Sequence, residues 1–169
     1  QLAQFSQLEA TTSMKDSMNG MVASMSNDRM LGAASLMGKQ VAVPDGPVMV
    51  TDTTVSQGTI NLPTGADGIQ LQVFNSSGIL VRSQIMGAQK PGEVTLAWDG
   101  MTDGGQAAAN GVYRYVATVN SQGVMSKPTV NTYATVTGVT SAGTADGAML
   151  LEVGNGKTVA LSSVKRIVN

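Results

Sequence analysis

Alternation of apolar and polar residues with a period of two dominates the chain from Lys39 onward. This period is typical of strands that bury one face, and it recurs in short segments separated by glycine, proline, asparagine and serine. Residues 69–73 and 79–82 flank the polar turn at 75–78, which predicts a β-hairpin. Because no helical pattern lies between the strands, we expect an antiparallel sandwich or small barrel rather than a parallel α/β sheet.

The remaining β segments follow the same rule. Further strands are predicted at residues 40–43, 48–50, 94–98, 112–119, 133–139, 149–153 and 158–161. Residues 51–58 and 124–128 are predicted to be connections, and they bracket one sandwich-like unit. Two small units fit the length of 169 residues.

The first 37 residues have a different pattern, with no proline and helical spacing. Apolar residues three apart near the N-terminus predict one helix face. Methionines then follow at alternating spacings of four and three, as in a coiled-coil seam. The predicted partner-binding side chains of this helix are Leu2, Phe5, Leu8, Met14, Met18, Met21 and Met25. A second short helix is predicted at residues 28–36.

Two interpretations of the methionines stay open. Flexible, polarisable methionine side chains suit a surface that packs against more than one neighbouring subunit. The same side chains could instead pack on the β domains of their own chain. The pattern alone favours neither interpretation.

Charge and composition exclude several classes of function. The chain has 10 basic and 11 acidic residues, a net charge of -1, so no field attracts nucleic acid or anionic lipid. No apolar run approaches the roughly 18 to 20 residues of a membrane span. The chain contains no histidine and no cysteine, which excludes a serine-histidine-aspartate triad and thiolate metal sites. We therefore predict a non-enzymatic protein with no cofactor, no metal, and neither nucleic acid nor membrane as partner.

Three strings resemble chemical motifs but fit structural interpretations better. Residues 154–158 end in GKT, yet the first glycine of a phosphate-binding loop is missing and a strand pattern follows. Ser162 and Lys165 have the S-x-x-K spacing, which a strand would place on opposite faces. Asp99 and Asp103 could belong to a calcium loop, but a methionine occupies a ligand position, so a turn is the better interpretation.

Several segments, taken in order, resemble one family. They are QLAQFSQLE at 1–9, QVFNSSGILVR at 72–82, WDG at 98–100, NGVYRY at 110–115, and the stretches 39–50, 133–138 and 149–167. Together they resemble the bacterial flagellar hook-capping proteins, the FlgD family, also called basal-body rod modification proteins. The methionine-rich stretch at 14–30 is where the chain departs from the family pattern.

The resemblance implies a mainly β fold with an N-terminal helix. A Tudor-like small β-barrel, residues 38–52 plus 129–169, would be split by an inserted immunoglobulin-like or fibronectin III-like β-sandwich at 53–128. Residues 1–37 would form the helical segment, preceded in full-length members by an export-directing leader. We expect the aromatic side chains of Trp98, Phe74, Tyr113 and Tyr115 to form the sandwich core.

The resemblance also implies a scaffold role. Such proteins leave through the flagellar type III export channel and sit outside the cell at the distal end of the nascent hook, where they promote polymerisation of hook subunits. Self-association into a ring-like cap, with five copies as the expected number, would accompany this role. The alternative is an extracellular adhesion or carbohydrate-binding sandwich with a helical oligomerisation stalk, which the aromatic content of 4% disfavours.

Overall fold

A computed structural model describes residues 2–52, 54–143, 147–154 and 156–168, with side chains from residue 4 onward. Within these residues the chain is mainly β, with a single α-helix at the N-terminal end, α1 (Leu2–Ala34), and two antiparallel sheets. The predicted fold class, mainly β with an N-terminal helix, is therefore confirmed. Its Tudor-like and fibronectin III-like assignments stay predictions, and so do the domain limits apart from the placement of β2, which is described below.

The strands are short and follow one another closely. In chain order they are β1 (Gln40–Pro44), β2 (Val48–Val50), β3 (Gly58–Leu62), β4 (Gly68–Asn75), β5 (Leu80–Met86), β6 (Gly92–Leu96), β7 (Gly111–Ser121), β8 (Val124–Ser126), β9 (Asn131–Ser141), β10 (Met149–Val153), β11 (Lys157–Ala160) and β12 (Arg166–Val168). A 3-10 helix (Leu161–Ser163) precedes β12. The predicted hairpin is confirmed, because β4 and β5 pair antiparallel.

The sandwich encloses the larger of two cores. Its five-stranded sheet has the order β2-β7-β4-β5, with β8 also paired to β7. Along β4 the side chains of Ile69, Leu71 and Val73 point inward and are fully buried, as the period of two requires. They pack with β3 and β6, whose Ile60 and Leu96 close the core from the other sheet.

Strand β9 joins the two cores. Its first two residues pair with β3 of the sandwich, and residues 131–135 pair with β1 on the other edge. Residues 136–141 pair mainly with β10, so one seven-stranded sheet runs through both units. The second core contains Val41, Val136 and Leu151. Pairing along β9 therefore connects the two cores through one sheet.

Some local predictions are wrong. Strand β2, predicted for the split barrel, instead pairs with β7 and buries Val48 and Val50 in the sandwich. The connection predicted at 124–128 contains the short edge strand β8, which is exposed along its length, so no alternation marks it. The connection predicted at 51–58 ends as β3 begins at Gly58. The second helix predicted at 28–36 is absent from the described residues, because α1 continues to Ala34.

The aromatic side chains divide between core and surface. Trp98, Tyr113 and Tyr115 are buried, and the Trp98 ring meets Tyr113 edge-on at a centroid distance of 5.2 Å. Phe74 is only half-buried, with the Arg114 guanidinium carbon 5.3 Å from its ring centroid. The prediction that Phe74 belongs to the core is wrong, because the alternation along β4 turns Phe74 away from the face that buries Leu71 and Val73.

Helix α1 is attached to the β body only near its C-terminal end. Ala33 and Leu36 are buried in the second core, with exposed fractions of 1% and 7%. Gly38 has a φ of 77° and its N–H donates to the carbonyl of Val136 over 2.9 Å, which turns the chain from the helix into β1. From residue 4 to 32 every residue is exposed except Ser26, which is half-buried. Most of α1 therefore projects from the body.

Candidate functional site

The exposed apolar side chains of α1 form the strongest candidate site of the described chain. The exposed fractions are 73% for Phe5, 65% for Leu8, 66% for Met14, 63% for Met18, 67% for Met21 and 48% for Met25. The interpretation in which these methionines pack on their own β domains is wrong. The side chain of Leu2 lies outside the described residues, although its backbone belongs to α1.

The predicted side chains lie on two faces rather than one. At about 100° per residue, Met14, Met18, Met21 and Met25 fall within an arc of about 60°. We call this the methionine face. Phe5 and Leu8 lie about 60° apart, centred about 140° around the helix from the methionine face. Each step of three residues moves the side-chain direction back by about 60° around the helix. Alternating steps of four and three largely cancel, so the methionines stay on one side. The helix therefore presents apolar surface in two directions.

Helix α1 contains no proline and few charged side chains. The hydroxyls of Thr11 and Thr12 are bonded within the helix, because they donate to the carbonyls of Gln7 and Leu8 at 2.8 and 2.9 Å. Only five of its residues are charged: Glu9, Lys15, Asp16, Asp28 and Arg29. Exposed apolar side chains on a sparsely charged helix are typical of a surface that another chain covers.

A groove beside β2 and β9 is the second candidate. It has a volume of about 580 Å³ and is lined mainly by uncharged polar side chains, among them Gln40, Thr51, Gln57, Tyr133 and Thr137. None of its lining residues is titratable near neutral pH, so it offers no acid-base pair. The groove can hold solvent or a polar chain segment, but its geometry suggests no reaction.

The acidic loop after Trp98 serves the sandwich. The Arg82 guanidinium lies 3.7 Å from both the Asp99 and Asp103 carboxylates. The Asp103 carboxylate accepts the backbone N–H of Ser83, and the backbone N–H of Asp103 donates to the Val81 carbonyl at 2.9 Å. The loop therefore covers part of the β5 edge. The Arg82 guanidinium already occupies the space between the Asp99 and Asp103 carboxylates. Across the described ranges, no cluster of three acidic, histidine or cysteine side chains could hold a metal ion.

The other two motif strings also lie in β structure or beside it. The phosphate-loop string enters β11, which pairs with β10, and no helix follows it; Asn155 of this string lies outside the described residues. Ser162 lies in the 3-10 helix, so the strand geometry predicted for it is wrong. Lys165 follows in extended backbone, and its N–H donates to the carbonyl of Ala42 over 3.0 Å.

The described part of the chain contains no helix that combines the length and the apolarity needed to cross a membrane.

Comparison with known proteins agrees with this architecture. Residues 46–123 match the family model of the FlgD Ig-like domain. The basal-body rod modification protein FlgD of Salmonella typhimurium is 27% identical over 177 residues, covering 99% of this chain and 74% of the relative. That of Escherichia coli is 24% identical with the same coverage.

Solved structures resemble the described fold as well. FlgD from P. aeruginosa is 26% identical, with a TM-score of 0.69 over 79% of this chain and 98% of that one. FlgD from Xanthomonas campestris is 28% identical, with a TM-score of 0.70 over 83% and 99%. Together these comparisons support a protein of the FlgD family.

The FlgD Ig-like match follows the sandwich closely. It begins two residues before β2 and ends at the turn between β7 and β8, so it includes β2 with the sandwich strands. Helix α1 and strands β9 to β12 lie outside this match, but the full-length FlgD relatives align with 99% of the chain. The candidate site is thus carried by a segment outside the part that matches the FlgD Ig-like domain.

Proposed function

We propose that this chain is a scaffold that caps the distal end of the growing flagellar hook and promotes polymerisation of hook subunits. Its relatives are named basal-body rod modification proteins, and the FlgD of Xanthomonas campestris is described in terms of hook capping essential for flagellar assembly. The observation that carries the proposal is α1, a long helix whose exposed apolar side chains are not covered by the β body.

The geometry suits a cap that contacts changing neighbours. At about 1.5 Å per residue, a helix of 33 residues is about 50 Å long. Methionine side chains can adopt several packing arrangements, so one face can accept each incoming subunit in turn. The β body, joined through β9, would hold the helices of neighbouring copies in place. The proposed work is mechanical and needs no cofactor or catalytic group.

The finer parts of the proposal follow from the same arrangement. We place the protein outside the cell at the tip of the nascent hook, after passage through the flagellar export channel. Copies of the chain would form a ring, for which five is the proposed number. The proposed partner-binding side chains are Leu2, Phe5, Leu8, Met14, Met18, Met21 and Met25. Because apolar side chains point in two directions from α1, one helix could contact two neighbouring subunits at once.

The adhesion alternative is not favoured. Sugar sites need exposed aromatic platforms, and the sandwich buries Trp98, Tyr113 and Tyr115 in its core. Phe74 is half-buried under the Arg114 guanidinium. None of these four rings of the described sandwich is left free to stack on a sugar.

Deletion of the encoding gene tests the function. A capping role predicts cells without hooks and hook subunits released unassembled into the medium, with both defects reversed by the wild-type gene. Electron microscopy counts the hooks, and immunoblotting measures secreted subunits. Normal hooks in the deletion strain would end the proposal.

Charged substitutions on the methionine face test the role of α1. Met18→Glu with Met21→Glu should abolish hook assembly, because two carboxylates would be buried on docking. The free energy of unfolding should change by no more than about 0.5 kcal/mol, since both side chains are exposed. The matched control is Ser13→Glu with Ser24→Glu, at exposed positions that point away from both apolar faces. Equal hook counts for the two doubly substituted chains would remove the methionine face from the mechanism.

The second face has its own test. Phe5→Glu with Leu8→Glu should reduce hook assembly, whereas Ser6→Glu with Ser13→Glu, at positions that point away from both apolar faces, should not. Complementation of the deletion strain compares the two. Full assembly with a stable Phe5 and Leu8 variant would limit docking to the methionine face.

A further inference from the structure

The sulfur atoms of this protein are concentrated on α1. The chain has 11 methionines and no cysteine, so every sulfur is a thioether. The methionines of α1 are all exposed: Met14, Met18, Met21, Met25 and Met30. Outside α1, Met37 and Met125 are also exposed, at 51% and 63%, whereas Met149 is 4% exposed in the second core and Met49, Met86 and Met101 are half-buried. A solvent-borne oxidant therefore meets the helix methionines before most others.

We propose that the methionine face is an oxidation site whose conversion to sulfoxides switches off docking of α1. The oxidant is a peroxide or a hypohalous acid. With hydrogen peroxide, a sulfur lone pair attacks one peroxide oxygen, an S–O bond forms and the O–O bond breaks. The sulfur loses two electrons, and the second oxygen leaves as water after proton transfer. A methionine sulfoxide reductase with a dithiol reductant returns two electrons and releases the oxygen as water.

Other groups offer the oxidant little competition. Thiolates would react first in most proteins, but this chain has none. Trp98, the only tryptophan, is 5% exposed and its indole N–H donates to the Met101 carbonyl over 2.8 Å. Reaction therefore falls on exposed thioethers, and four of them stand within about 60° on one helix face.

Oxidation changes the property that the proposed function uses. A thioether is apolar and flexible, whereas a sulfoxide carries a strong acceptor oxygen that must be hydrated or bonded. Burying one unpaired polar group in the docked interface weakens binding by about tenfold or more, and the face has four such positions. The helix itself stays folded, because these side chains make no contact with either core. This step of the inference rests on the proposed capping function.

The first test measures reactivity on the isolated chain. Native protein is treated with hydrogen peroxide, and the added oxygen at each methionine is followed by mass spectrometry of peptides. Met14, Met18, Met21 and Met25 should oxidise at least about tenfold faster than Met149, while circular dichroism stays unchanged. Oxidation of Met149 at the same rate as the four helix methionines would overturn the proposal.

The second test measures the consequence. Oxidised and untreated chains are compared for binding to purified hook subunit, alongside a variant with Leu at positions 14, 18, 21 and 25. The oxidised wild type should lose binding at least about tenfold and regain it after reductase treatment, whereas the leucine variant should bind before and after peroxide. Undiminished binding by the oxidised wild type would refute the switch. If neither the untreated wild type nor the leucine variant bound the hook subunit, the proposed function would be contradicted instead. The first test would still show whether the helix methionines are the reactive ones.

Discussion

Leu36→Ala should loosen the attachment of α1 to the β body. The Leu36 side chain is 7% exposed and packs in the core that also contains Val136 and Leu151. Removing it loses most of the transfer free energy of a leucine and leaves a cavity where the chain turns toward β1. We expect the free energy of unfolding of this core to fall by about 3 kcal/mol.

Leu31→Ala is the matched control, because it is the same substitution at a side chain that is 72% exposed. Its expected cost is within about 0.5 kcal/mol. Hydrogen exchange gives the local readout: the N–H of Gly38 donates to Val136, and the N–H of Val136 donates to Lys39, both over 2.9 Å. Both amides should lose protection in Leu36→Ala only. Equal losses of stability in the two variants would refute the described attachment of the helix.

Three further predictions concern the β body. Trp98→Phe should cost about 2 kcal/mol in urea unfolding, because it removes the donor to the Met101 carbonyl and leaves a void; a neutral result would contradict the packing. Gly46→Ala should cost about 1 to 3 kcal/mol by thermal or urea unfolding, because the new Cβ would collide with the Thr132 hydroxyl; unchanged stability would show that this contact can relax. Burial raises the pKa of Tyr115, so its phenol ionises first in the unfolded chain and wild-type stability should fall above about pH 10 by up to about 1.4 kcal/mol per pH unit. Tyr115→Phe should reduce that slope, and equal slopes from urea midpoints at about pH 9 and pH 11 would contradict the burial.

The sequence predicted the sandwich strands best where one face is buried. The β4 and β5 hairpin carries both the alternation and a turn whose Asn75 side chain accepts the N–H groups of Ser77 and Ile79. Strand β8 carried no such signal, because all three of its residues are exposed. The pairing of β2 with β7 depends on residues far apart in the chain, which no local pattern reveals.

The candidate site was predicted only in part. Helical spacing identified the methionine face, and the structure places all four of its side chains in solvent. Whether a helix folds back on its own domain depends on tertiary packing, so the spacing could not decide it. The sequence also contained the second face: the rotation of about 100° per residue places Phe5 and Leu8 in a different direction from the methionine face. Comparing the two directions would have revealed it. Docking partners stay a proposal that rests on family membership and exposure.

Site-specific photo-crosslinking during hook growth tests the central claim most directly. A photoreactive residue replaces Met21 on the methionine face or Ser24, which points away from both apolar faces; both positions are exposed and lie three residues apart. If the chain caps the hook through the methionine face, illumination should link position 21 to the hook subunit, with much less product at position 24. Equal yields at the two positions, or no hook-subunit adduct from position 21 in cells that are assembling hooks, would contradict the account.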